Sequence, residues 1–254
     1  MIPRIIPVLL LKDSKLVKTK KFRDPTYIGD PLNAMKVFSD KFVDEIIVVD
    51  ITKRKSGKID YSILQAMAAE CFSPLTYGGG INSIDQATKL FRLGVEKISV
   101  NSAIRKSPDL VKALISRFGS QSIVGSVDII KVFGRYRVYF HDRILKYNFL
   151  ANNVIDYMRL IESQGFGELF VNFVDRDGMF TGYDTQMIKT LTESVRCPIT
   201  VCGGCSAYSD IWNLANDCNI SGIAAGSVFV FRNKRRGVLI NYPLVDQIEK
   251  NIGL

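Results

Sequence analysis

The sequence predicts an α/β fold, a (β/α)8 TIM barrel built from two similar halves, from its strand–helix alternation, an internal repeat and its length. Short runs rich in β-branched residues alternate with helical periods, and eight of them predict strands: residues 4–11, 45–50, 74–77, 97–101, 122–128, 168–173, 198–202 and 220–226. Because these runs are apolar on both faces, as in parallel strands covered by helices, a parallel sheet is favoured over a sandwich.

The internal repeat divides the chain into two halves. Pro74-Leu-Thr, followed by Gly79-Gly80, recurs as Pro198-Ile-Thr, followed by Gly203-Gly204. Two halves of four βα units give eight units in 254 residues, which is the usual size of one barrel. We therefore expect a single domain over residues 1–254, with an open doubly wound sheet as the alternative fold.

Composition and charge limit the possible partners. The chain is 47% hydrophobic and 23% charged, which is ordinary for a globular protein. The apolar stretch at residues 5–11 is too short for a membrane span. We do not find a longer apolar core followed by a small-residue cleavage site, as a secretory signal requires, so we expect a cytoplasmic protein that does not enter the membrane. The net charge of +9 suits phosphorylated ligands or acidic partners. Nucleic acid is not expected as a partner, because we find no basic recognition helix or aromatic sheet motif.

The cysteines and the histidine do not predict a metal or cofactor site. Five cysteines are an odd number without framework spacing, which is typical of reduced thiols. The CxxC motif formed by Cys202 and Cys205 has no second pair, so we expect no zinc site. His141 is the only histidine and is interpreted as structural.

Two sets of glycine and serine loops predict phosphate binding. Gly78-Gly79-Gly80 follows the third predicted strand and Asn101-Ser102 the fourth, and Gly203-Gly204 and Gly226-Ser227 follow the seventh and eighth in the same way. Backbone N–H groups in such loops form nests for anions. Two facing sites indicate a ligand with two phosphates, although each glycine pair alone is also typical of a tight turn.

Acids at strand ends are the candidates for proton transfer. Asp50 follows the second predicted strand, Asp128 the fifth, and Asp175 and Asp177 lie in the turn after the sixth. Asp128 is a candidate general acid or base, with helix capping or binding of a loop amide as the alternative. The first strand ends differently, in Leu9-Leu10-Leu11.

Four charged residues stand at the opposite ends of the strands. Arg4, Glu45, Lys97 and Glu168 come directly before or at the start of the first, second, fourth and sixth apolar runs. This pattern places two cations and two anions in a ring at the amino-terminal face of the barrel. Taken alone, the ring is interpreted as a stabilising salt-bridge layer, because barrels keep stability residues at this face.

Two segments interrupt the βα pattern. Residues 12–29 carry a run of cations that includes Lys15, Lys18, Lys20, Lys21 and Arg23 and are long for a βα loop, which suits either a mobile lid or a solvated loop. Residues 131–141 alternate around Gly134 and predict a small hairpin on the carboxyl face.

From end to end the chain resembles the cyclase subunit of imidazole glycerol phosphate synthase, a (β/α)8 barrel that docks a glutaminase and receives ammonia through the barrel. The matching stretches are Arg4-Ile-Ile-Pro, residues 13–18, Gly29-Asp-Pro, Asp50-Ile-Thr, Pro74-Leu-Thr-Tyr-Gly-Gly-Gly-Ile, Lys97-Ile-Ser-Val-Asn-Ser, Arg117-Phe-Gly-Ser-Gln and Asp175-Arg-Asp-Gly. The resemblance implies a glutaminase partner on the amino-terminal barrel face, a phosphorylated small-molecule ligand and no cofactor.

The resemblance also assigns roles to particular residues. The ring of Arg4, Glu45, Lys97 and Glu168 matches the charged gate at which ammonia enters the barrel in this family. The phosphate grips correspond to the following residues: Gly79, Gly80, Asn101 and Ser102 in the first half, and Asp177, Gly178, Gly203, Gly204, Gly226 and Ser227 in the second.

One departure from the family bears on mechanism. The family's cyclase chemistry is ascribed to two aspartates, at the ends of the first and fifth strands, and Asp128 matches only the second of them. The first falls on Leu10, which can neither donate nor accept a proton. Losing a positioned acid or base typically costs about 10² to 10⁴ in rate, so the sequence leaves the cyclase activity uncertain.

A paralogous branch of the family fits this departure. The chain looks like the members that accompany a glutaminase and a separate sugar amidotransferase in surface-polysaccharide synthesis, where an acetamido group becomes acetamidino; the similar stretches are Pro7-Val-Leu-Leu-Leu, Tyr27-Ile-Gly-Asp-Pro and residues 236–243. We therefore expect an ammonia-channelling synthase subunit. The alternatives are a cyclase subunit active in histidine biosynthesis and a phosphosugar isomerase on the same half-barrel plan.

Overall fold

The computed structural model describes residues 2–52, 59–140, 153–232 and 237–252, and it shows a closed barrel of eight parallel strands. The barrel strands are β1 (Arg4–Lys12), β4 (Ile46–Asp50), β5 (Leu75–Gly78), β6 (Lys97–Val100), β7 (Ile123–Val132), β9 (Glu168–Phe173), β10 (Ile199–Cys202) and β11 (Gly222–Ala225). The predicted fold class is thereby confirmed. The strand ends differ from the prediction by a few residues, chiefly because β7 runs on past Asp128 to Val132.

Helices follow the barrel strands and cover their outer faces. They are α1 (Pro31–Ser39), α2 (Tyr61–Ala69), α3 (Ile84–Arg92), α4 (Ser102–Lys106), α5 (Pro108–Phe118), α6 (Val154–Glu162), α7 (Thr185–Ser194), α8 (Tyr208–Asp217), α9 (Ser227–Val230) and α10 (Val245–Ile252). In the part of the chain described above, none of these helices is long and apolar enough to cross a membrane.

Closure of the barrel depends on β1. Residues 4–7 pair with β11 along one edge, with Arg4 opposite Gly222, and residues 8–11 pair with β4 along the other edge, with Val8 opposite Ile47. The offset between these two sets of pairs is the stagger that a tilted, closed barrel requires.

Alternate residues of each strand face the helices or the barrel interior, so two apolar cores form. The larger core lies between strands and helices and includes Ile5, Leu9 and Val48. The smaller one fills the interior of the barrel and consists of Ile6, Val8, Ile47, Val124, Phe170 and Ala224.

The segment interpreted as an irregular loop, residues 12–29, is regular, so that interpretation is wrong. It forms two antiparallel strands, β2 (Lys15–Lys20) and β3 (Arg23–Gly29), which extend the sheet from β1. The physical reason is burial, since Leu16 and Val17 pack into the structure and Lys18, counted among the loop cations, is 3% exposed.

The second irregular segment forms the predicted hairpin. β7 continues beyond the barrel and pairs with β8 (Arg135–Val138) through a two-residue turn, Phe133-Gly134. His141 lies outside the described residues.

The two halves of the barrel share the same strand-end turns. Gly79, after β5, has φ +133° and Gly203, after β10, has φ +116°. A Cβ on Gly79 would meet the backbone oxygen of Asp50 at 2.5 Å, and one on Gly203 would meet that of Phe173 at 2.8 Å. Each glycine is therefore required by the close approach of the preceding barrel strand.

We predict that Gly79→Ala lowers the free energy of unfolding by more than about 2 kcal/mol, because it adds a backbone clash to a strained φ. The matched control is Gly80→Ala, where φ is +66° and a Cβ would meet nothing within 4 Å. Gly80→Ala should lower the free energy of unfolding by only about 1 kcal/mol, which is what a left-handed backbone conformation costs a residue with a side chain. Urea unfolding of both variants measures the difference, and equal losses would contradict the steric account.

Candidate functional site

The structure brings the four predicted ring residues together at the amino-terminal end of the barrel interior. Arg4 contacts Glu45 and also Glu168, the latter at 2.6 Å, while Lys97 lies 2.9 Å from Glu45 and 3.0 Å from Glu168. Each cation therefore contacts both anions, and the ring is closed. The carboxylates are the buried members, with side chains 3% and 10% exposed against 30% for Arg4 and 19% for Lys97.

Two threonines complete the coordination of the carboxylates. The hydroxyl of Thr76 donates to Glu45 at 2.6 Å and that of Thr200 donates to Glu168 at 2.5 Å. Burial raises the pKa of Glu168, but the charges of Arg4 and Lys97 outweigh it and hold that pKa below its usual range. Glu168 is therefore ionised at neutral pH and pairs with both cations.

Above the ring, the barrel interior is apolar along one wall. Ile6, Ile47, Phe170 and Ala224 are at most 3% exposed and pack against one another. Moving an ammonium ion from water into such an interior carries a large desolvation cost. For neutral ammonia this cost is much smaller.

At the carboxyl end of the interior, Asp128 is fixed by two amides. Its carboxylate accepts from Asn101 Nδ2 at 2.9 Å and from Asn172 Nδ2 at 3.0 Å. Both amides come from neighbouring strand ends, so the alternative of a helix cap does not describe this side chain. Leu10 lies in the same mouth and packs onto the apolar interior cluster.

The sequence analysis did not select Asn172. It shares the inward register of Glu168 and Phe170 on β9, and a polar residue at an inward position near the end of a mostly apolar strand is the signal that could have identified it.

Lys18 is a further residue of the mouth that the sequence analysis counted only as a loop cation. Its ammonium donates to the backbone oxygen of Val8 at 2.5 Å and lies directly beside Gly226, where a Cβ would collide with it. Burial lowers the pKa of Lys18 to about 8, although Cys202 and Asp177 nearby oppose this shift. A buried cation therefore lies next to the second predicted phosphate grip.

The first predicted phosphate grip is assembled from two neighbouring strand ends. Gly79 and Gly80 follow β5, and Ser102 opens α4 directly after Asn101. Gly80 and Ser102 are exposed at the carboxyl face. Asn101 was predicted to belong to this grip, and its side-chain amide donates to Asp128.

The second predicted grip is partly covered. Gly203 and Gly204 follow β10, and Gly226 and the buried Ser227 follow β11. Asp177 holds the β2–β3 hairpin, since its carboxylate accepts from the Thr19 hydroxyl at 2.6 Å and from the Phe22 N–H at 3.1 Å. A Cβ on Gly178 would collide with the backbone oxygen of Thr19, so the hairpin lies directly on this turn.

The remaining candidate acids bind backbone groups. Asp50 accepts from the Thr52 N–H at 2.8 Å, and Asp175 accepts from the Lys131 N–H at 3.1 Å. Within the described ranges, no three His, Cys, Asp or Glu side chains converge on a point that could hold a metal ion.

The closed barrel with a polar mouth at its carboxyl end defines a (β/α)8-barrel protein, and the comparisons with known proteins narrow this class. A family model described as "Histidine biosynthesis protein" matches residues 4–235. The chain belongs to this family, and within it to the cyclase subunits of imidazole glycerol phosphate synthase, as the resemblance in sequence predicted.

Several relatives cover nearly the whole chain. A Pseudomonas aeruginosa protein, provisionally named imidazole glycerol phosphate synthase subunit hisF2, is 41% identical over 97% of this chain and 98% of its own length. A Leptospira borgpetersenii protein, provisionally named subunit HisF of the same synthase, is 43% identical over 95% of both chains. Subunit HisF of Chlorobaculum tepidum is 31% identical over 90% of both chains.

We predict that Lys18 makes stability rise with pH. With a pKa of about 8 in the folded chain and about 10.4 in the unfolded chain, only the unfolded chain binds this proton between those values. The free energy of unfolding therefore gains up to about 3 kcal/mol across the interval.

The measurement is the difference in urea stability between wild type and Lys18→Met from pH 7 to 10.5, which cancels the other titrating groups. It should move in favour of wild type as pH rises. The control is Lys112→Met, at an exposed position of α5. A difference that stays flat for Lys18→Met would contradict the placement of its ammonium.

Proposed function

We propose that this chain is the ammonia-conducting synthase subunit of a glutamine amidotransferase complex and that it does not itself catalyse cyclisation. A glutaminase on the amino-terminal face supplies ammonia, the barrel interior conducts it, and a separate sugar amidotransferase uses it to convert an acetamido group into an acetamidino group in surface-polysaccharide synthesis. The observation that carries the proposal is the combination of a closed charged ring with Leu10 at the mouth.

The ring supports the ammonia-conducting part. Its cations lie at the barrel end and its carboxylates lie inward, with the apolar interior directly behind them. Ammonia can accept a hydrogen bond from Lys97 at the ring and, because it is neutral, can enter the apolar interior. A hydrated ion would have to lose its water there without compensation.

Leu10 supports the loss of cyclisation. Asp128 is held by Asn101 and Asn172 and supplies one half of the acid–base pair ascribed to the family. The place of the other half is taken by an aliphatic side chain that packs with the interior. The acceptor in polysaccharide synthesis rests on the sequence resemblance to that branch of the family.

The alternative function is an active cyclase subunit in histidine biosynthesis. It is favoured by the retention of Asp128 and of the first predicted phosphate grip around Gly80 and Ser102, which is open to solvent. Lys18, buried in the same mouth, is the group that would have to replace the missing acid.

Two exposed aromatic side chains support the amino-terminal face as the proposed docking surface for the glutaminase. Phe42, after α1, is 81% exposed and Phe72, after α2, is 86% exposed. Ser39 joins the two loops, because its hydroxyl accepts from the Phe72 N–H at 3.1 Å and its backbone oxygen accepts from the Phe42 N–H at 3.0 Å. Exposed aromatic side chains on adjoining loops are typical of binding surfaces.

We predict that Phe72→Ser weakens glutaminase binding at least about tenfold, because buried aromatic anchors dominate interface energies. Calorimetric titration with the purified glutaminase subunit measures the affinity. The control is Leu160→Ser, which removes an exposed apolar side chain from α6 on the flank of the barrel and should leave the affinity unchanged. An unchanged affinity for Phe72→Ser would exclude this face as the docking site.

We further predict that wild type, supplied with the family's phosphorylated substrate and with ammonium salt, turns over far below about 1 per second. Leu10→Asp should raise cyclisation by about 10² or more, because it restores a positioned acid beside Asp128. Leu10→Asn, which cannot transfer the proton, is the matched control. Wild-type turnover at ordinary enzyme rates would establish the cyclase alternative.

A further inference from the structure

A second surface, at the carboxyl face, is formed by two hairpins that the function proposed above leaves unused. We define the hairpin surface as residues 15–29, with β2 and β3, and residues 129–139, with β7 and β8. The two hairpins meet where the ring of Phe22 packs edge-on against Tyr139, with centroids 6.3 Å apart. The first hairpin extends beside the mouth, because Lys21 N–H donates to the Asp177 backbone oxygen at 2.9 Å.

Positive charge dominates the hairpin surface. Both segments are fully described, and their only exposed acid is Asp24, whereas their exposed cations are Lys15, Lys20, Lys21, Arg23, Lys131 and Arg135. The acids that lie beneath the hairpins already have partners: Asp177 binds Thr19 and Phe22, and Asp184 binds Tyr136 and Arg176 and lies 3.8 Å from Lys131, which it partly neutralises. The surface therefore complements a partner with acidic groups.

Phe133 stands at the tip of the second hairpin and is 101% exposed. Its turn has φ values of 47° at Phe133 and 77° at Gly134, a conformation in which Asn or Asp normally precedes Gly. A bulky side chain with positive φ costs about 1 kcal/mol or more, and full exposure of the ring brings no compensation within the chain. Such a residue is typical of an anchor for a partner.

The hairpin that carries Phe133 is fixed in place. The hydroxyl of Tyr136 donates to Asp184 at 2.5 Å, and its ring packs edge-on against Phe173 at 5.6 Å. The ammonium of Lys131 lies 5.2 Å from the centre of the Tyr136 ring. A partner therefore meets the aromatic tip on a preorganised arm, which reduces the entropic cost of binding.

We propose that the hairpin surface seats the enzyme that consumes the ammonia, and that this enzyme offers an acidic surface with an apolar pocket for Phe133. This inference rests on the proposed function, because ammonia that reaches a mouth with Leu10 has to be handed on before it escapes into water. Cations beside an exposed aromatic ring also occur on membrane-binding hairpins. A membrane neither consumes ammonia nor closes the mouth, so the enzyme is the occupant favoured here.

The test is photocrosslinking of the full chain, together with its glutaminase, in the native cell. Phe133→p-benzoylphenylalanine should capture one protein, identified by mass spectrometry as an ATP-dependent enzyme that incorporates ammonia. Phe72→p-benzoylphenylalanine, at an equally exposed aromatic position on the opposite face, should capture the glutaminase.

The two crosslinking positions distinguish a failure of this inference from a failure of the proposed function. Capture of the glutaminase through Phe72, with only lipid or no adduct through Phe133, overturns the inference and leaves the proposed function standing. Absence of the glutaminase from the Phe72 adducts contradicts the proposed function itself.

Affinity measurements with the captured enzyme test the chemistry of the surface. Phe133→Ser should raise the dissociation constant at least about tenfold, and Arg135→Glu should raise it most at low salt. Lys112→Glu introduces the same charge change on α5 and should have no effect. Equal effects of Arg135→Glu and Lys112→Glu, or an unchanged affinity for Phe133→Ser, would contradict the proposed seat. Binding to phosphatidylglycerol vesicles that Phe133→Ser abolishes would assign the surface to the membrane instead.

Discussion

Two cations and two anions share one closed ring inside the barrel, and their mutual neutralisation is the constraint on which the amino-terminal end depends. Burying a single carboxylate costs several kcal/mol, and only full pairing offsets this cost. Arg4 and Lys97 each contact both Glu45 and Glu168, so β1, β4, β6 and β9 are fixed relative to one another. The ring thus joins strands from both half-barrels. Under the proposed function its charges also contact the ammonia that enters the barrel, which gives a reason for burying charge here despite the desolvation cost.

The mouth at the other end combines oriented polar groups with the aliphatic side chain of Leu10. Asp128 is oriented by two amides, Lys18 is buried beside Gly226, and the strand-end glycines keep the turns of both half-barrels. The sequence resemblance aligns Leu10 with the family's other catalytic aspartate, and a leucine cannot transfer a proton. If the barrel conducts ammonia as proposed, the enzyme that uses the ammonia has to bind at this mouth, and the basic hairpin surface with Phe133 lies beside it.

Much of this architecture could be predicted from the sequence because it depends on short-range patterns. Runs of β-branched residues and the repeat of Pro74-Leu-Thr at Pro198 determine the eight strands, and the charges that begin four strands determine the ring. The β2–β3 hairpin was mistaken for a loop, because the groups that hold it in place, such as Asp177, are remote in sequence. The same remoteness concealed Lys18, and the exposure of Phe42, Phe72 and Phe133 depends on which neighbours the fold brings near them.

The central claim is that ammonia passes through the ring without mixing with the solvent. The most direct measurement reconstitutes the amidination from the glutaminase, this chain and the sugar amidotransferase, with amide-¹⁵N glutamine in competition with excess unlabelled ammonium. The account predicts a product that is mainly ¹⁵N-labelled with wild type. With Lys97→Met, glutamine hydrolysis should continue while the product becomes mainly unlabelled. A wild-type product whose nitrogen reflects the bulk ammonium would contradict the account.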